Sequence, residues 1–144
     1  MNTIHSFRLS YFHFLIIPIA MLFLSCTTST TDNYSYVVNN ASDKELEVYV
    51  KTHSIDSTLH IMPHTKGTIY NGYTQYVGDA PSFGNPFFLK VFDVLKINAV
   101  DQSTITLNYL NVSSWKSSKI SVGLGITKTT TTTYTIDITN SNFN

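Results

Sequence analysis

Few residues in this 144-residue chain carry side chains suited to chemistry, and their spacing narrows what that chemistry is. There is a single cysteine, Cys26. A lone thiol cannot close an internal disulfide, so it serves as a nucleophile, a ligand or an attachment point. Three histidines, His53, His60 and His64, follow it. A metal ion would need them to converge with acids or thiolates. His60 and His64 flank Pro63 and would share a face of a strand, yet lie about 13 Å apart at ~3.3 Å per residue. One ion cannot bridge that gap, so they read as exposed polar positions, and no metal or other cofactor is expected. A hydrolytic triad needs a serine, a base and an orienting acid within hydrogen-bond reach. No Gly-x-Ser-x-Gly elbow or glycine-rich phosphate loop occurs. Ser114 with Lys116, and Ser118 with Lys119, are too close in sequence to imply a Ser–Lys pair. The nine acids are too scattered to single out a glycosidase pair. The chain reads as non-enzymatic.

Recognition has more to work with. The stretch 70–88 holds Tyr70, Tyr73, Tyr76, Phe83, Phe87 and Phe88 among glycine, proline and asparagine. It reads as an aromatic loop, and loops on rigid scaffolds carry binding. Tyrosines offer large contact area with few rotatable bonds. Tyr70, Tyr73, Tyr76, Phe83 and Trp115 are therefore the candidate ligand contacts, for a glycan or a peptide. The competing reading makes the loop a lid over one end of the core and Trp115 a plug.

These side chains must be positioned by strands. From Tyr34 onward the apolar residues recur with period two, and almost no stretch suits an amphipathic helix. Leu46, Val48 and Val50 alternate with polar neighbours. Strands are also expected over 34–38, 58–62 and 67–71, and the central strand within 87–100, where Val91, Leu95 and Ile97 are core candidates. Three more follow, built on Ile105, Leu107 and Tyr109, on Ile120, Val122, Leu124 and Ile126, and on Tyr134, Ile136 and Ile138. The threonine run 129–133 extends the last of them, with the turn placed near Lys128, because threonine is β-branched. A flat threonine ladder would need repeated, aligned threonines on several strands, and the sequence offers one run. Roughly eight short strands separated by turn signals predict an all-β fold, a single antiparallel β-sandwich of Ig-like or Greek-key type. A small β-barrel would show the same alternation.

The chain begins differently. Residues 1–10 include Arg8 and no acid, and 11–24 are almost wholly apolar. Fourteen residues at about 1.5 Å each reach roughly 21 Å, short of a ~30 Å hydrocarbon core, and Pro18 weakens a spanning helix. This has the parts of an export signal. The end of the apolar run, Leu22-Phe23-Leu24-Ser25-Cys26, resembles the lipobox of bacterial lipoproteins, with Phe23 where the family favours leucine. The resemblance implies cleavage before Cys26, with fatty acyl chains such as palmitate on its sulfur and amino group. An uncleaved anchor and a secretory signal with an incidental cysteine are the alternatives. The expected organisation is a signal peptide at 1–25, a polar tether at 26–33 spanning at most about 25 Å at ~3.5 Å per residue, and a β-domain at 34–144. Removing 25 of 144 residues leaves 119, one domain by size. That part has eight lysines, no arginine and nine acids. It lacks the basic stripe that nucleic acid requires and any bidentate fork for phosphate. Membrane attachment would rest on the acyl chains.

Further motifs strengthen the likeness. They are Tyr36-x-Val38-x-Asn40, the run Asp56-Ser-Thr-Leu-His-Ile-Met-Pro63, Tyr70-Asn-Gly-Tyr73 and the closing Tyr134-Thr-Ile-Asp-Ile-Thr139. Together with the lipobox, these resemble small, uncharacterised lipoproteins of Bacteroidetes-type bacteria. The resemblance implies an envelope-bound β-domain and carries no activity. Surface-exposed members have an acidic run after the cysteine; here only Asp32 stands there, which implies the periplasmic face of the outer membrane. Asp56-Ser57-Thr58 also resembles the O-glycosylation signal of such bacteria, which implies modification at Ser57. The bland alternative is a triplet that caps a turn.

Overall fold

The computed structural model describes residues 29–77, 89–123 and 127–144. Seven strands appear in these segments: β1 (Ser29–Asn40), β2 (Leu46–Lys51), β3 (Asp56–Ile61), β4 (Thr65–Val77), β5 (Val94–Ala99), β6 (Trp115–Val122) and β7 (Thr127–Ile138). They form a four-stranded sheet in the order β4-β1-β7-β6 and a three-stranded sheet in the order β3-β2-β5. The two sheets pack together as an all-β, sandwich-like fold.

Period two in the sequence becomes two faces in space. On β2 the apolar Leu46, Val48 and Val50 are buried while Glu47, Tyr49 and Lys51 are not. On β7 the buried positions are Thr130, Thr132, Tyr134, Ile136 and Ile138. The core joins Val38, Ile136 and Ile138 of the larger sheet to Leu46, Val48, Val50, Leu95 and Ile97 of the smaller one. Each fully buried aliphatic side chain contributes about 1.5–3 kcal/mol relative to exposure. Around Tyr36 the core turns aromatic. Its ring meets Phe92 at 5.0 Å and 79°, Trp115 at 5.9 Å and 81°, and Tyr134 at 4.9 Å. Burial, reinforced by the neighbouring tyrosines, raises the Tyr36 phenol well above its ordinary value.

The arrangement departs from an all-antiparallel sandwich in one place: β1 and β7 pair in parallel, from Ser29↔Thr127 to Asn40↔Ile138. Each connection reverses the chain. Seven strands therefore leave the first and the last running the same way, and as neighbours they must pair in parallel.

Four further expectations are corrected. Ile105, Leu107 and Tyr109 do not form a strand. They pack against the core, and only Ile105 makes a bridge, to Phe143. The strand expected within 87–100 is β5, with Leu95 and Ile97 in the core and Val91 packed against it, but it lies at the edge of its sheet and not at the centre. Lys128 lies inside the last strand, which begins at Thr127, so the turn expected near it does not fall on it. The polar residues read as tether are in part structural: Ser29, Thr30, Thr31, Asp32 and Asn33 all belong to β1, paired with β4 on one side and β7 on the other. Polar composition alone does not exclude a strand that is flanked on both sides.

Buried side-chain hydrogen bonds hold the crossings between sheets. Asn40, fully buried at the end of β1, donates through Nδ2 to the carbonyls of Lys44 (2.7 Å), Ile61 (3.0 Å) and Met62 (3.1 Å). Its Oδ1 accepts from Ser42 Oγ at 2.6 Å and from the Ser42 amide at 3.2 Å. At the crossing from β3 to β4, His64 takes a left-handed backbone at φ 59°.

Three exposed or partly exposed carboxylates are held below their usual range. Lys44 and Ser103 donate to Asp101, Lys116 and Asn39 to Asp137, and Tyr49 and Lys51 to Asp56. A depressed folded value means that the stabilisation is present above the unfolded value near ~3.9 and is lost as the pH falls toward the folded one. Solvent screening keeps each contribution small. The urea midpoint should therefore hold steady from pH 7 to about 5 and decline below about 4. Asp137→Asn should flatten that decline, and an unchanged acid profile in this variant would refute the assignment.

Candidate interaction face

The expected contact residues separate into three groups. Trp115 opens β6, is only 5% exposed, and donates from Nε1 to the Tyr109 carbonyl at 2.9 Å. Its ring is a plug in the core and not an exposed platform. Tyr70 lies in β4, not in a loop, and its ring meets Tyr36 at 5.9 Å and Phe92 at 6.0 Å. It belongs to the aromatic end of the core. Tyr73 also lies in β4 but points outward and is 78% exposed. Tyr76 is placed by its backbone, opposite Thr30. Phe83, Phe87, Phe88 and Cys26 lie outside the described residues.

Gly72 explains why β4 continues through what reads as a turn. A Cβ there would come within 2.7 Å of the Tyr70 ring and 3.3 Å of the Tyr34 ring. The glycine makes room for two aromatic side chains; it does not turn the chain.

The histidines are exposed, as the sequence indicated, but not idle. His60 Nδ1 lies 2.9 Å from Glu45 Oε1, and His64 Nε2 lies 2.9 Å from Asp43 Oδ1. Among the described residues, no three His, Cys, Asp or Glu side chains group as a metal-binding set. Ser57 stands in β3, an edge strand of the smaller sheet, with its side chain exposed. The triplet 56–58 thus starts a strand and does not cap the turn before it. An open pocket of about 380 Å³ is lined by Leu89, Phe92, Asp93, Val94, Leu95, Lys96, Tyr109 and Leu110. Its polar lining is one acid, one lysine and one tyrosine, with no histidine, serine or cysteine among them.

What sequence reading missed is the outer face of the four-stranded sheet. The registers align three rows across it. Val122, Thr129 and Thr31 form one row; Ile120, Thr131, Asn33 and Tyr73 the next; Ser118, Thr133, Ser35 and Asn71 the third. All of these side chains are exposed or half-buried, and none is charged. Ser35 Oγ donates to Asn71 Oδ1 at 2.8 Å on this face. The signal was present as the alternation of 129–133, but the partners of that run could not be known without the strand order. Thr129 is aligned with Thr31, but Thr131 and Thr133 are aligned with Asn33 and Ser35, so the face is not a ladder of threonines.

The fold therefore defines an all-β, two-sheet protein with a broad uncharged face among its described residues. No family model, no curated protein and no solved structure matches the chain. No helix among the described residues is long and apolar enough to cross a membrane.

Proposed function

We propose that this chain is a lipid-anchored protein of the bacterial cell envelope, on the periplasmic side of the outer membrane, acting as a non-enzymatic interaction module. The observation that carries the proposal is the position of Cys26, directly behind the apolar run 11–24 and Ser25. The start of β1 at Ser29 supports it and changes its geometry. Only Thr27 and Thr28 separate Cys26 from a paired strand. Three Cα steps span at most about 11 Å, so an acylated Cys26 would hold the sheet end close to the lipid headgroups. Several buried acyl chains, at about 0.8 kcal/mol per methylene, make such an anchor effectively permanent.

Cys26→Ala should move the protein from the membrane fraction to soluble or unprocessed forms, read by fractionation and by mass spectrometry of the N-terminal peptide. Unchanged membrane partition would sink the lipoprotein reading. A second reading, a small binder of glycan or peptide, is favoured by Tyr73, whose ring is exposed on a strand of the larger sheet.

A further inference from the structure

We infer that the outer face of the β4-β1-β7-β6 sheet is a binding site for a neutral glycan, with the exposed ring of Tyr73 as its stacking platform and the hydroxyls and amides of Thr131, Asn33, Ser35 and Asn71 as its hydrogen-bonding field. The inference deepens the binder reading by naming the face and the ligand chemistry, and it does not depend on the anchor.

Charge comes first. Across the three rows, 11 described side chains carry no ionisable acid or base besides the phenol of Tyr73. Charged groups begin at Lys116, one row further, which reaches Asp137 at 2.5 Å. A face without charge gives no purchase to phosphate, sulfate or carboxylate ligands. Hydroxyls and amides both donate and accept, which suits a ligand whose own groups do the same. Polyols meet that description.

Shape comes second. Four strands at about 4.8 Å spacing and three rows at about 6.7 Å span roughly 14 by 13 Å. That area takes a few sugar rings laid across the strands. Tyr73 sits at the β4 side of the middle row, with Asn71 beside it on the same strand face. A tyrosine ring supplies a broad apolar body with a polar tip, the combination needed to cover the C–H face of a sugar while its hydroxyls turn to the flanking amides.

The other occupants fit less well. An extended peptide gains most of its affinity from the free backbone groups of a sheet edge, whereas on β1 and β7 those groups are spent on neighbouring strands. A second copy of the chain would need an apolar interface centre, and here Ile120 and Val122 lie together at the β6 margin.

The test uses the full-length chain in a polyoxyethylene detergent, run by affinity electrophoresis through native gels containing a neutral β-glucan, xylan, mannan or glycogen, with alginate as the anionic control. Retardation is expected with at least one neutral polymer and not with alginate. Tyr73→Ala and, separately, Thr131→Lys should each weaken it at least tenfold while the melting temperature stays within a few degrees, since both side chains are exposed. Three results would overturn the inference. One is an absence of retardation by all four neutral polymers. Another is binding that survives both substitutions. The third is a concentration-dependent dimer abolished by Thr131→Lys, which would assign the face to self-association. Cys26→Ala should leave the retardation intact, so failure of the anchor and failure of the glycan site are separable.

Discussion

Asn40→Leu should cost about 4 kcal/mol of folding stability, the largest effect of any single polar substitution in the described fold. The side chain ends β1, just where the chain leaves the larger sheet for the smaller one. Its amide nitrogen reaches the carbonyls of Ile61 and Met62 at the end of β3 and that of Lys44 in the turn. Its oxygen holds the Ser42 hydroxyl and amide. Leucine matches the volume and removes every bond at once. The Met62 carbonyl keeps Thr65 as a donor, and the Lys44 carbonyl and Ser42 hydroxyl keep each other, so the loss is about 1 kcal/mol for each of the five bonds that Asn40 makes. Asn40→Asp retains the acceptor and loses both donors, so it should fare no better. Urea titration followed by circular dichroism checks the pair. A loss under about 1 kcal/mol for Asn40→Leu would mean that these carbonyls find other donors and that the crossing is held elsewhere.

Trp115→Ala comes next, at about 3–5 kcal/mol. The indole fills the space between Tyr36 and the segment before β6, and it is 5% exposed. Truncation leaves a cavity beneath the β6–β7 ladder, against the Tyr36 ring. Trp115→Phe keeps much of the volume and loses the Nε1 bond to the Tyr109 carbonyl, so it should cost only about 1–2 kcal/mol. This is the only tryptophan, so the measurement needs circular dichroism and not fluorescence. If Trp115→Ala left stability intact, the residue would be a surface group and its role as a plug would be wrong.

Both residues show how far the sequence could be read. Alternation at Leu46, Val48 and Val50, and at Tyr134, Ile136 and Ile138, made β2 and β7 legible, because a half-buried strand writes its burial pattern directly into its side chains. The same pattern misled at Ile105, Leu107 and Tyr109. These side chains do pack inward, but alternation reports a facing direction and says nothing about whether a neighbouring backbone is there to pair. Asn40 was invisible for a related reason: in sequence it belongs to a turn cluster, and its bonds to Ile61 and Met62 depend on a crossing that no local signal encodes. Tyr70 and Tyr73 were grouped as loop residues because Asn71 and Gly72 look like turn chemistry. Within β4 that glycine provides space instead, and the period of two then sends Tyr70 inward and Tyr73 outward. The neutral face was the least legible element of all. It is a property of four strands in a particular order, and any one strand shows only a quarter of it.

The place of β7 also sets a timetable. The last strand to be made lies between β1, the first, and β6. Until it arrives, β1 has a partner on one side only, and β6 has no neighbour in the sheet. The β1–β7 ladder joins residues about a hundred positions apart, and contacts of such long range slow folding because a large loop must close before they form. A chain of this topology stays open until its C-terminal end is free. If the chain is exported from its N-terminus, as proposed above, that delay would keep the domain from closing before β7 has crossed.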